Sequence, residues 1–415
     1  MAPVPRRAPL YALYAAETVS LAGNAVAQLA IPWYVLITTG SATLTGLAVF
    51  FNFLPIVLAA FFGGVVVDRL GFRATSIVAD LASAAAVAAI PLLESTVGIE
   101  LWQLFALVFL GALLDAPGAT ARAALLPDVV ELAGARIERA SGIRSGIQQS
   151  AILIGAPIGG VLVAAFGATA ALWLDAASFL VSAALVGVFV PRPDASTASE
   201  EKGKFLAELA EGIRFIWRQR VLRAVVLMVL LTNLLEAPFP VVMSVFAREE
   251  YGSASDLGLM FGVFGGGALA GSLVYSAIGH RLPRRRTFLW CFTGIPIAYL
   301  ALATLPSLPV ALVALAFTGL VAGPINPLLF TVTTELVPTQ LRGRVFGAVR
   351  GGAWAAIPLG TLLGGVIVGA AGVAATFLAI GVLLALVVAY GFVNPAFREM
   401  DRRSELDDRD EVLLR

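Results

Sequence analysis

The amino-acid sequence predicts an all-α membrane protein with twelve transmembrane helices in two pseudo-symmetric six-helix bundles. Three observations lead there. First, apolar stretches recur along the chain, each long enough for a helix of roughly 20 residues to cross a ~30 Å hydrocarbon core. Of the 415 residues, 59% are hydrophobic and only 13% charged, a composition foreign to an ordinary soluble domain. Second, threading the chain back and forth gathers every Lys and Arg on one side except Arg248. Cationic loops stay in the cytoplasm, so both termini are expected there and the number of spans is even. Third, the chain repeats itself. Gly159-Gly160-Val161-Leu162 matches Gly364-Gly365-Val366-Ile367, and Gly167 matches Gly372, at a constant shift. Arg139, Gly142 and Gly146 match Arg344, Gly347 and Gly351 at that same shift. Both copies start on the cytoplasmic side. That is a parallel duplication, the organisation of a transporter built from two halves.

The expected spans are 10–37, 44–67, 74–94, 101–121, 144–166 and 168–190 in the first bundle (1–190). The second bundle (222–393) holds 222–246, 257–279, 287–305, 308–333, 346–370 and 373–393. Arg6-Arg7 before an apolar run imitates a signal peptide. Glu17, Asn24 and Gln28 interrupt that run, and it continues too far for a short signal core. It is therefore read as span one. Outer loops such as Thr38 to Ser41 are too short to hold a domain.

The bundles are joined by 191–221. This segment opens on Pro191-Arg192-Pro193-Asp194, which is linker chemistry. It then turns amphipathic, with Phe205, Leu209, Ile213 and Ile216 opposite Lys204, Glu208, Glu211, Arg214 and Arg218. That pattern predicts a helix on the inner membrane surface. Residues 394–415 alternate acids and arginines and read as a solvated cytoplasmic tail.

Composition narrows the chemistry. Cys291 and His280 are the only residues of their kinds, so neither a metal site nor a cofactor is expected. No phosphate-binding G-x-x-x-x-G-K-[ST] occurs, so the chain is not expected to hydrolyse ATP. A net charge of +1 suggests no nucleic-acid partner. No nucleophile–base pair is visible, and no enzymatic activity is expected.

Glycine and proline mark where helices approach or break. Gly155/Gly159, Gly262/Gly266, Gly267/Gly271, Gly360/Gly364 and Gly365/Gly369 are G-x-x-x-G pairs, which let backbones come close. Pro238 and Pro240 interrupt span seven, and Pro324 and Pro327 interrupt span ten; proline removes a helix hydrogen bond and bends the axis.

Between spans two and three stands Gly64-Val65-Val66-Val67-Asp68-Arg69-Leu70-Gly71-Phe72-Arg73. It resembles the G-x-x-x-D-R-x-G-R-[RK] loop of the major facilitator superfamily, with Phe72 where a basic residue is usual. Span five carries Gly155-Ala156-Pro157-Ile158-Gly159-Gly160, similar to the G-P-x-x-G-G element of antiporter branches. Gly279-His280-Arg281-Leu282 looks like a decayed second copy of the loop. Leu125-Leu126-Pro127-Asp128, Leu174-Asp175-Ala176-Ala177-Ser178-Phe179 and Gly343-Arg344-Val345-Phe346-Gly347 resemble the bacterial exporter branch of macrolide-efflux and enterobactin-exporter-like proteins. The resemblance covers 10–393 and implies the major facilitator fold, with spans one, four, seven and ten around a central cavity.

The resemblance also implies a conformational latch of Gly64, Asp68, Arg69, Gly71, Arg73 and Asp128. Asp68 would meet the positive N-terminus of span eleven near Arg344, and Arg73 would meet Asp128. For the cavity it selects Glu17, Asp115 and Glu236 among the intramembrane acids, which are costly and seldom lack a purpose. Glu17, Asn24 and Gln28 share one helical face. Asn233 lies one turn from Glu236, and Asn326 lies in the broken span ten. Asp115 and Arg122 could pair two turns apart. Asp80 is expected to be structural, and Asp175 either structural or functional. Glu236 is the first choice for proton coupling, followed by Glu17 and Asp115. Tyr14, Trp33, Phe239 and Phe330 are candidate cavity aromatics.

The function these residues imply is a monomeric secondary exporter in the lipid bilayer of the cell membrane. It would move a small amphiphilic compound, a drug or secreted metabolite, out of the cell in exchange for protons. The rival readings are a lipid or lysophospholipid flippase without proton coupling, and a non-transporting receptor or assembly factor.

Overall fold

A computed structural model describes residues 6–192, 205–338 and 341–398; the side chains of residues 60–69, 152, 205–209, 280, 350, 353 and 354 lie outside that description. Among the described residues all regular structure is helical. The helices are α1 (Ala8–Thr39), α2 (Ala42–Leu70), α3 (Phe72–Thr96), α4 (Leu101–Leu132), α5 (Ile137–Phe166), α6 (Ala168–Phe189) and α7 (Phe205–Arg218). They continue with α8 (Arg220–Glu236), α9 (Phe239–Phe246), α10 (Ala254–Ile278), α11 (Arg284–Leu302), α12 (Leu308–Ala322), α13 (Ile325–Leu336) and α14 (Arg342–Val393).

Among the described residues, ten helical stretches are long and apolar enough to cross a membrane. One of them, Ala355–Val393, contains two helices meeting at Gly372, where α14 turns. Arg284–Leu302, which opens on three arginines, is a further apolar helix. Each of the twelve expected spans therefore has its helix. Large apolar side chains stay exposed along them, Val188 at 75% and Val313 at 70%. In water such surface would be a liability; in a bilayer it meets acyl chains.

The prolines act where the sequence puts them. α8 stops at Glu236, and α9 restarts after Pro238, whose carbonyl accepts from the Val241 and Val242 amides at 3.0 Å. α12 stops at Ala322, and α13 resumes after Pro324.

Contacts divide the chain into two compact units, Met1–Ser199 with Met243–Gly262, and Glu200–Val242 with Val263–Arg415. In the first, α1 lies along α5 and α6, and α3 packs between α4 and α6. In the second, α14 packs on α7, α8 and α11, and α11 packs on α12.

The duplicated turn is visible in the backbone. Gly167, between α5 and α6, has φ 85° and ψ 162°. Gly372, its partner in the repeat, has φ 81° and ψ 171°. Only glycine adopts that region without strain, so the two copies turn from one span to the next by the same device.

α7 is less simple than its sequence pattern. Gly212 and Ile216 are buried, whereas Ile213 is exposed. Ile216 packs with Leu222, Val226, Val337 and Val345. Gly212 lies against Arg344, where a Cβ would come within 2.5 Å of the carbonyl oxygen. The Arg344 guanidinium also reaches Glu211 at 2.5 Å. The apolar face is thus shared between the protein and its surroundings.

Candidate functional site

Within the first unit, one guanidinium organises the interior. Arg122 lies in α4 with 2% of its side chain exposed. It reaches Asp80 of α3 at 2.5 Å and Asp115 of α4 at 3.5 Å. It also donates to Ser20 Oγ of α1 at 3.2 Å. Asp80 further accepts from Ser182 of α6 at 2.7 Å. Asp115 accepts from Asn24 of α1 at 2.9 Å. Four helices are pinned through one buried cation. The sequence places Arg122 among the loop cations; α4 runs to Leu132, past the expected span end at 121, and Arg122 sits inside it. Asp80, expected to be structural, is the nearer of the two counter-ions to this cation.

Glu17 is 5% exposed and ion-paired. Arg144 reaches it at 2.8 Å and Gln148 donates to it at 3.2 Å, both from α5. α5 begins at Ile137, so Arg144 also lies inside a helix rather than at its edge. Asp175 is buried and accepts from the Ser178 hydroxyl of its own helix. α1 passes close by at Gly23, where a Cβ would fall 2.5 Å from an Asp175 oxygen.

The antiporter-like residues make α5 a backbone-contact helix on two sides. Toward α1, a Cβ on Gly159 would lie 3.1 Å from Val26 Cα. Toward α10, a Cβ on Gly160 would lie 2.6 Å from the Ala254 carbonyl and 2.8 Å from Gly258 Cα. Gly155 faces Ala25 of α1, and Pro157 faces Gly262.

The latch is described only in part. Gly64, Asp68 and Arg69 fall in the last turns of α2, and their side chains lie outside the described residues. Gly71 precedes α3 with φ 76°. Arg73 does not meet Asp128, which is exposed. Its guanidinium donates instead to the Val190 carbonyl at 2.7 Å and to that of Gly187. The physical reason is the negative end of α6, which presents unpaired carbonyls and attracts a cation.

Within the second unit the geometry differs. Glu236 is partly buried at the C-terminal end of α8, where the proline break begins. Among the described intramembrane acids it alone has no hydrogen-bond or ion-pair partner; Tyr299 of α11 lies within its electrostatic range. Tyr299 is buried in an aromatic group, 6.3 Å from Phe239 and 6.0 Å from Phe377 by ring centres. Phe239 in turn is 5.5 Å from Phe264. Asn233 is partly buried beside Glu236 in sequence, and Gln28 and Asn326 are exposed. Of the other aromatics, Tyr14 is a core residue donating to the Ala140 carbonyl. Trp33 is buried, and Phe330 is 63% exposed and stacked on Phe346.

Sequence reasoning missed Ser20, Gln148, Ser182 and Tyr299. Ser20 was legible, because it shares the face of Glu17 and Asn24 at helical spacing. The others lie on helices distant in sequence, and no local signal marks them.

Relatives give this architecture its family. Residues 1–412 match the family described as MFS_3, transmembrane secretion effector. The multidrug efflux pump Tap of Mycolicibacterium fortuitum is 33% identical over 407 residues, covering 96% of this chain and 99% of that protein. Macrolide efflux protein A of Streptococcus pyogenes is 22% identical over 394 residues, covering 94% and 96%. Among solved structures, the nucleoside transporter NupG superposes with a TM-score of 0.74 at 12% identity, covering 94% of this chain and 98% of that one. This chain belongs to the transmembrane secretion effector family of the major facilitator superfamily, multi-pass membrane transporters and not enzymes.

Proposed function

We propose that this protein is a proton-coupled exporter that moves amphiphilic drugs or secreted metabolites out across the cytoplasmic membrane by alternating access. Both termini face the cytoplasm in this reading, and the functional unit is one chain. The similarity to a multidrug efflux pump along the whole chain supports the direction and substrate class.

One observation carries the coupling assignment. Glu17, Asp80, Asp115 and Asp175 all have hydrogen-bond or ion-pair partners, whereas Glu236 has neither among the described residues. A carboxyl group with no fixed counter-ion can gain and lose a proton without dismantling an ion pair. Glu236 also lies at the break between α8 and α9, where a change of charge can be coupled to a change of bend. The aromatic rings around Tyr299 supply apolar surface beside it.

The test uses Glu236→Gln in proteoliposomes, with efflux substrates of the Tap type as probes. Gln mimics the protonated acid, so counterflow is expected to survive while ΔpH-driven export and substrate-induced proton movement are lost. Full ΔpH-driven export by this variant would remove the assignment. Wild-type flux that ignores ΔpH would replace the antiport reading with facilitated movement of a lipid-like substrate.

A further inference from the structure

The outward face of α7 has no use in the export reading. Among its described side chains, α7 is fixed within the second unit by Gly212 against Arg344, by Ile216 in an apolar cluster and by the Glu211–Arg344 pair. That docking turns Ile213 and Trp217 outward, 43% and 54% exposed. Arg214, Arg218 and Arg220 are exposed along the same stretch. No acid among the described residues pairs with any of these three arginines. Arg223 donates to the Trp217 carbonyl at 3.0 Å, which holds the end of α7 against the start of α8.

Depth follows from connectivity. A single residue, Gln219, separates α7 from the membrane-crossing stretch that begins at Arg220; its side chain caps α8 by accepting from the Leu222 amide at 3.0 Å. Trp217 therefore stands where the apolar span enters the headgroup layer. Trp is favoured at that depth, and arginines there attract anionic headgroups.

We propose that the outward face of α7 is a docking surface for anionic phospholipid in the leaflet on the side of the basic loops. Ile213 and Trp217 enter the acyl boundary, and Arg214, Arg218 and Arg220 bind the phosphates. This inference rests on membrane insertion and not on export or proton coupling.

The experiment uses the full chain reconstituted in phosphatidylcholine vesicles with and without phosphatidylglycerol. In a Cys291→Ser background, Ile213→Cys carries an environment-sensitive fluorophore. Brominated phosphatidylglycerol and brominated phosphatidylcholine serve as contact quenchers. Stronger quenching by the anionic lipid is expected. Changing Arg214, Arg218 and Arg220 to Gln should reduce that preference, by up to about fivefold for each arginine, while binding and transport assays report on the rest of the protein separately. Inorganic phosphate in the buffer should not reproduce the response. Equal quenching by both lipids, or a preference unchanged in the triple variant, would overturn the proposal. So would a fluorophore quenched by aqueous iodide and by neither lipid, the result expected for a face in solvent or against a soluble partner.

Discussion

The two units bury their polar groups differently. In the first, several buried polar side chains bond across helices: Arg122 to Asp80 and Ser20, Ser182 to Asp80, and Ser83 to the Gly111 carbonyl. In the second, four buried threonines bond backward within their own helices. Thr232 donates to the Met228 carbonyl, Thr318 to Ala314, Thr361 to Pro358 and Thr376 to Gly372. A bond between helices fixes their mutual rotation, while a bond within one helix leaves it free to slide. The second unit's helices also meet backbone to backbone, with Ser272 of α10 donating to the Gly323 carbonyl at 2.8 Å. Gly271 and Gly323 line the approach of α10 and α12, and Gly360 and Gly364 that of α14 and the α8–α9 break. Both units use close glycine approaches, but the network centred on a buried arginine belongs to the first, and the unpaired Glu236 to the second.

Removing the central cation breaks this contrast most directly. Arg122→Met leaves the buried Asp80 and the partly buried Asp115 without their counter-ion, and a loss of about 3–5 kcal/mol is expected. Thermal unfolding of the detergent-purified protein should show a large drop, and adding Asp80→Asn should restore part of it. Unchanged melting would mean that the network does not hold the first unit together.

Packing in the second unit gives the next effect. A Cβ on Gly271 would lie 2.9 Å from the Leu320 carbonyl carbon. Gly271→Leu should cost about 1–3 kcal/mol through overpacking. Gly146→Ala in α5 meets nothing within 4 Å and should leave melting unaltered. The two measured side by side test whether close backbone approach, and not glycine content, matters.

The smallest effect is expected at the Glu211–Arg344 pair, whose side chains are 49% and 34% exposed. A double-mutant cycle with Glu211→Gln and Arg344→Gln should return a coupling of ~0–1 kcal/mol. A larger coupling would show that α7 is held by charge more than by the fit of Gly212 and Ile216.

The sequence by itself determined the number of spans, the duplication and the helix breaks. Span length follows from membrane thickness. Gly167 and Gly372 turn because their backbone region excludes side chains, and Pro238 and Pro324 interrupt helices because proline lacks an amide proton. These constraints are local, so a linear reading captures them. Only the tertiary structure decided which charges meet. Glu17 finds Arg144 on α5, Arg122 prefers Asp80 of α3 to Asp115 of its own helix, and Arg73 turns to the carbonyls ending α6. Each choice depends on which helices are neighbours and how each is rotated. Spans that are all apolar outside encode little of that order in their own sequence, because lipid accepts almost any rotation until a buried polar group demands its partner.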